Sequence, residues 1–243
     1  MKTKGLSAFN LILGFDCSAV AASCAVIDCE SGKVIAQGSV NTKITHSQSL
    51  MPLTESVLKA AGLTFADIDA FAVSKGPGSF TGLRIGVSVV KGLAYSLSKP
   101  VCGVSTLLAH AHNLIELDCT ACAVMDARRG EFYNALFRIQ GAQITRLTPD
   151  RAITAEDLAK ELKHHDNVIL IGDGAELAHH VLTTVNSQSD WQLSTVNCQA
   201  VGVCFAAVSE NAESEFTTAA ALMPVYIRRP QAEREAEERK QTS

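Results

Sequence analysis

The chain is short of positive charge. Lys and Arg number 21 against 25 Asp and Glu, a formal net charge of -4 over 243 residues. Neutralising phosphates supplies most of the affinity of a protein that holds nucleic acid by itself. Without a cationic surplus, action on nucleic acid calls for a partner that supplies the positive surface. Long apolar runs are missing too: none approaches the ~18 residues of a membrane span. Cys119 and Cys122 form a lone CxxC. With no second pair at ligand spacing, it falls short of the four ligands of a zinc site. Neither HExxH nor GxSxG occurs, which removes two familiar peptidase signatures.

What is present reads as a globular α/β chain. Hydrophobic residues make up 47% and charged residues 19%, enough for a sizeable core. The eight cysteines do not require a disulfide framework at this length. Cys24, Cys102 and Cys122 sit in apolar strand-like runs, so reduced thiols and a cytoplasmic location are expected. Lys2 and Lys4 before an apolar stretch faintly resemble a signal peptide. Asn10 interrupts that stretch, and Asp16 falls where a cleavage region would be neutral. A short leader followed by a buried first strand is the expectation.

Turn residues and periodicity divide the rest. Strands are expected at residues 11–15, 22–28, 33–40 and 69–73, with helices at 47–61 and 80–97 and a short strand after Pro100. The second half repeats this grammar. Strands fall at 121–127, 131–139 and 142–148, then a helix at 155–163, a stretch at 167–176 that reads as a strand running into a turn and helix, and helical patterns at 177–185 and 200–212. An internal duplication is plausible. The expected fold is two α/β lobes with mixed sheets flanked by helices. The bounds are 1–104, 105–230 with a last helical segment able to pack back on the first lobe, and a charged tail at 231–243.

The stretch SKGPGSFTGLRIG at 74–86 invites a phosphate-loop reading and fails it. The second glycine of a P-loop would fall at Thr81, and Leu83-Arg84 follow Gly82 in place of Lys and Ser or Thr. The Rossmann spacing fails at the same threonine. Gly82, Gly86 and Gly92 instead lie within a helical pattern, where each costs about 1 kcal/mol relative to alanine. Gly82 and Gly86 share one face. A face without Cβ atoms fits close backbone packing, within the chain or across a subunit interface.

These blocks resemble a known family. GFDCSAVAASCAVID, the run from Met51 to Leu107, AVMDARRGEFYNALF and PVYIRRP are similar to the bacterial TsaB family. The resemblance implies an actin-like ATPase fold with two RNase-H-like lobes. It implies a role as obligate non-catalytic partner of the paralogous transferase TsaD, in forming N6-threonylcarbamoyladenosine beside the anticodon of tRNAs. TsaE, a small ATPase, joins the pair; tRNA is met through the complex. ATP is used by the complex, with no cofactor or metal of the chain's own. TsaD-like relatives carry two metal histidines four apart; here those positions are Thr106 and His110, so the metal centre reads as lost and His110 as a partly exposed helix residue. Asp16 and Ser18 stand in the turn that, in actin-like ATPases, approaches nucleotide phosphates; a vestigial phosphate site and a simple turn cap are both open, the cap preferred. GDGAE at 172–176 could be a remnant phosphate turn or a plain helix entry. Arg128 and Arg129 could meet an acidic partner or simply occupy an exposed turn. The glycine helix and the helix before it resemble the TsaB elements that dock on TsaD, with Ser49, Leu50, Leu53, Leu83 and Gly86 as expected interface residues and self-pairing possible without TsaD. The competing reading is a self-sufficient actin-like ATPase or phosphotransferase built around Asp16.

Overall fold

The computed structural model describes residues 9–42, 44–185, 191–194, 199–209 and 215–228. The expected leader, the tail and the last two residues of PVYIRRP lie outside them.

Three strands open the chain as a meander: β1 (Leu11–Asp16), β2 (Ala22–Asp28) and β3 (Lys33–Val40). Helix α1 (His46–Ala60) leads to β4 (Ala70–Gly76), α2 (Phe80–Leu97) and β5 (Val101–Ser105). The sheet order is β3-β2-β1-β4-β5. The meander pairs antiparallel, and β1, β4 and β5 run parallel.

After α3 (Thr106–His112) the plan repeats. Strands β6 (Asp118–Asp126), β7 (Glu131–Gln140) and β8 (Gln143–Arg146) form a second meander. Strand β9 (Arg151–Thr154) pairs with β7; α4 (Ala155–Leu162), β10 (Val168–Ile171), α5 (Ala175–Val185), β11 (Gln192–Ser194) and α6 (Gln199–Val208) follow. The second sheet reads β11-β10-β6-β7-β8. Its central strand, β6, is the counterpart of β1. The sequence reading missed β9 and β11, each too short to show a period.

The central strands are buried on both faces, which explains their near-continuous apolar character. Along β1, Ile12 faces the space between the sheets, while Leu13 and Phe15 face the layer that includes α1 and α2. The middle layer is α3 and α6. α6 packs against β1 and β2, its Ala200 N–H donating to Ser23 Oγ at 3.0 Å. α4 and α5 cover the outer face of the second sheet with Leu158, Leu162, Ala178 and Leu182. Cys119 and Cys122 face different cores, as residues three apart on a strand must. All seven described cysteines are buried thiols. No described helix is long and apolar enough to cross a membrane.

Residues 215–228 form a strap over this frame. Thr217 bridges β5 at Val101, Lys91 Nζ donates to the carbonyls of Ala220 and Leu222, and Val225 N–H donates to Lys75 O at 2.6 Å. Tyr226 stacks on Phe80 with centroids 4.9 Å apart and receives Arg84 Nε at 3.1 Å. Arg228 then crosses to the second half, pairing with Glu131 and donating to Ala127 O.

Candidate functional site: a carboxylate cleft between matching strand ends

The duplicated plan brings equivalent turns face to face. Asp16 ends β1 and Asp126 ends β6. Asp173 follows β10 in the turn before α5. Each stands just after an apolar strand: LILGFD, AVMD, VILIGD.

Asp16 is 2% exposed. Its Oδ1 accepts the Ser18 N–H at 3.4 Å, the local cap expected of such a turn. Burial pushes its carboxyl pKa up; the hydroxyls of Ser74 and Ser18, close by, pull the other way. Neither hydroxyl reaches hydrogen-bonding geometry with any partner. Asp173 is crowded by the cleft walls and repelled by Asp16 and then Asp126, which together push it up to about 6. Its turn needs Gly172: φ there is 124°, and a Cβ would lie 2.2 Å from Val124 O. Asp126 is engaged by Arg128, through the backbone N–H at 2.7 Å and the guanidinium at 3.2 Å.

His110 departs from its expected exposure. It is 5% exposed, with neither ring nitrogen hydrogen-bonded, and burial pushes it down to about 4. α6 and the Gly172 turn cover the face that the sequence left open; Gln199, from α6, lies beside the ring but donates to Thr106 O. Thr106 is fully buried and its hydroxyl is also unpartnered. This donor set does not fit a resident metal: a threonine stands at one position and a sealed, neutral imidazole at the other. Among the described residues, no group of three or more His, Cys, Asp or Glu is placed to hold a metal ion.

Two clefts meet at these turns. The larger, about 700 Å³, is bounded by Ser18, Gly78, Asp126, Arg129 and Tyr226. The smaller, about 440 Å³, is bounded by Asp16, His110, Asp173, Glu176 and Gln199. Arg128 and Arg129 project from the β6–β7 turn, both at positive φ, 65° and 59°. Arg128 is 84% exposed. The sequence reading named Asp16 and Ser18, reached Asp173 only as part of the 172–176 turn, and gave Asp126 no role beyond its hairpin. Their shared position after apolar strands was the available signal.

The glycine helix serves a different place. A Cβ on Gly82 would fall 2.0 Å from Cys17 O, and one on Gly86 would touch Val73 and Cys17. The glycine face is therefore turned inward, onto the turn that carries Asp16. Ser79 caps α2 by accepting the Gly82 N–H at 3.3 Å. Of the expected interface residues, Leu50 and Leu83 are covered by the chain's own core, and Gly86 is buried with them. These three shape the helices and do not face outward. Ser49 and Leu53 keep partial exposure. The open side of α2 carries Ser88, Gly92 and Tyr95, which the sequence reading did not single out.

Two mixed sheets of one strand order, helices between them and matching turns around a central cleft define an actin-like ATPase fold. YeaZ from Pseudomonas aeruginosa superposes with a TM-score of 0.72 at 25% identity, over 89% of this chain and 99% of that one. In sequence, the tRNA threonylcarbamoyladenosine biosynthesis protein TsaB of Bacillus subtilis is 34% identical over 153 residues, 63% of this chain and 67% of that protein. Its Escherichia coli namesake is 39% identical over 95 residues, 38% of this chain and only 41% of that protein. A family profile described as TsaD, tRNA N6-adenosine threonylcarbamoyltransferase, matches residues 40–235. The chain belongs to the TsaB family, within that wider transferase-related group.

Proposed function

We propose that this chain is the non-catalytic partner subunit of TsaD in forming N6-threonylcarbamoyladenosine on tRNA. Family membership carries the reading. The displaced metal chemistry supports the word non-catalytic: Thr106 and His110 are buried, unpartnered and uncharged. ATP is used by the complex, TsaE joins it, and tRNA is reached through it, in keeping with a chain of net charge -4. The buried thiols among the described residues suit a reducing cytoplasm. The lobes divide at residues 104 and 105.

The docking surface in this proposal is the outer side of α1 and α2, with Ser49, Leu53, Ser88, Gly92 and Tyr95. Small residues there let a paralogous helix pair approach closely. A profile named for the transferase fits this region, so a pseudo-symmetric pairing follows, and a homodimer is its counterpart when TsaD is absent. The test is threonylcarbamoyl transfer to tRNA by TsaD and TsaE from the same organism, with ATP and threonylcarbamoyl-adenylate. Product only when this chain is present, and none from it alone, is the expected result. Equal turnover without it overturns the proposal and directs attention to an ATPase centred on Asp16.

A further inference from the structure

The smaller cleft has the wrong sign for a phosphate. Asp16, Asp173 and Glu176 border it, and no lysine or arginine does. Among the described residues no cation forms an ion pair with any of the three; Arg128, the nearest by influence, is held by Asp126. His46, which also acts on Asp16, has its Nε2 against Ala19 O at 2.9 Å. Buried or crowded carboxylates left without a counter-charge are costly.

A second observation points to a ligand. The His110 ring borders the same cleft, is 5% exposed, and has neither nitrogen satisfied. A buried imidazole of this kind is neutral at physiological pH, so one ring nitrogen is an acceptor. Carboxylates plus a neutral imidazole acceptor form a receptor for N–H donors that carry positive charge. The donors are not arranged for a metal ion. Ala19, Val20, Ala21 and Leu193 supply an apolar wall suited to methylene groups, with Val20 68% and Leu193 41% exposed.

We propose that this cleft binds a small linear aliphatic diamine, one ammonium group lodged among Asp16, Asp173 and His110 and the other reaching Glu176 at the mouth. The ligand would supply the missing counter-charge and bridge the two halves of the fold, since Asp16 belongs to the first sheet and Asp173 and Glu176 to the second half.

The test is calorimetric titration of the full chain with 1,4-diaminobutane at low salt. Saturable binding at one site is expected, weakened at least about tenfold by Asp16→Asn and by Asp173→Asn. Butylamine, with one head, should bind more weakly, and choline, which has no N–H, should not bind. Asp173 and Glu176 are exposed, so Asp173→Asn and Glu176→Gln carry the test where Asp16→Asn fails to fold. Absence of saturable heat up to about 10 mM, equal binding by Asp173→Asn, or binding of choline or of magnesium ion in place of the diamine overturns the proposal. The experiment contains no TsaD, so its failure leaves the partner role untouched.

Discussion

Gly82 and Gly92 lie on one helix and should respond oppositely to the same methyl group. Both are interior to α2, so alanine gains up to about 1 kcal/mol of helix propensity at either. At Gly92 nothing lies within 4 Å of the new Cβ. The gain is kept, and the melting temperature should rise by about 2–4 °C. At Gly82 the Cβ would fall 2.0 Å from Cys17 O. That oxygen is backbone, in the turn whose neighbours Asp16 and Ser18 are themselves buried, so it cannot swing aside as a side chain could. Overpacking of this kind costs about 1–3 kcal/mol or more. A backbone overlap this close sits at the upper end of that range, so net of propensity Gly82→Ala should be destabilised by about 2 kcal/mol and melt roughly 4–8 °C lower. Thermal and urea unfolding of the two variants beside the parent decide it. If both variants melt higher, α2 is not seated on the β1–β2 turn, and the inward reading of the glycine face is wrong.

His110 and His112 should make the fold acid-sensitive. Burial holds both near 4 against an ordinary 6.5, so the unfolded chain takes up protons first. Stability is full above pH 6.5 and falls between 6.5 and 4, by up to about 1.4 kcal/mol per pH unit for each histidine. His112→Leu should make this loss shallower in pH-dependent urea unfolding; an unchanged slope refutes the assignment. Asp16 and Asp173 act with the opposite sign, because raised carboxyl pKa values favour the folded state as pH falls. Asp16→Asn should accordingly raise the melting temperature at pH 8 more than at pH 5, and a uniform drop at both would show that the charge is compensated. Arg228→Ala removes the strap's pairing with Glu131 and its contact with Ala127 O. Limited proteolysis should then cut near residues 215–228 sooner, with little change in the melting temperature of the rest.

The two sheets were legible because turn residues mark their hairpins and because doubly buried strands leave unbroken apolar runs. Helix α2 was legible from its stripe of Leu83, Val87, Val90 and Ala94. Strands β9 and β11 were not, being held by pairing with β7 and β10 and not by any pattern of their own. His110 was misplaced for a related reason. Spacing tells which residues share a helix face, but what covers that face is α6, nearly a hundred residues later. The site divides in the same way. Asp16 and Ser18 stand in a turn that reads as one locally. Asp126 and Asp173 join them only because β1, β6 and β10 end at one cleft, and one-dimensional pattern carries no record of that convergence.

The depth at which α2 sits links stability to the proposed docking surface. Inward glycines let the helix settle on the Asp16 turn, and that seating fixes the height of its outer side, where Ser88, Gly92 and Tyr95 lie. A paralogous helix pair meeting this side would read its height as well as its chemistry. Gly92→Glu should therefore abolish capture of TsaD while leaving the isolated chain at least as stable, since the new side chain faces open space. Gly82→Ala should weaken capture too, although it is buried and touches no partner, because it lifts the helix away from the turn. The measurement is affinity for TsaD at a temperature where both variants are fully folded. Full-strength binding by Gly92→Glu would remove the outer side of α2 from the interface. Loss in Gly92→Glu with full strength in Gly82→Ala would keep the interface and reject the dependence on seating. Loss in both, with folding intact, is the outcome that joins the inner glycines to the outer surface.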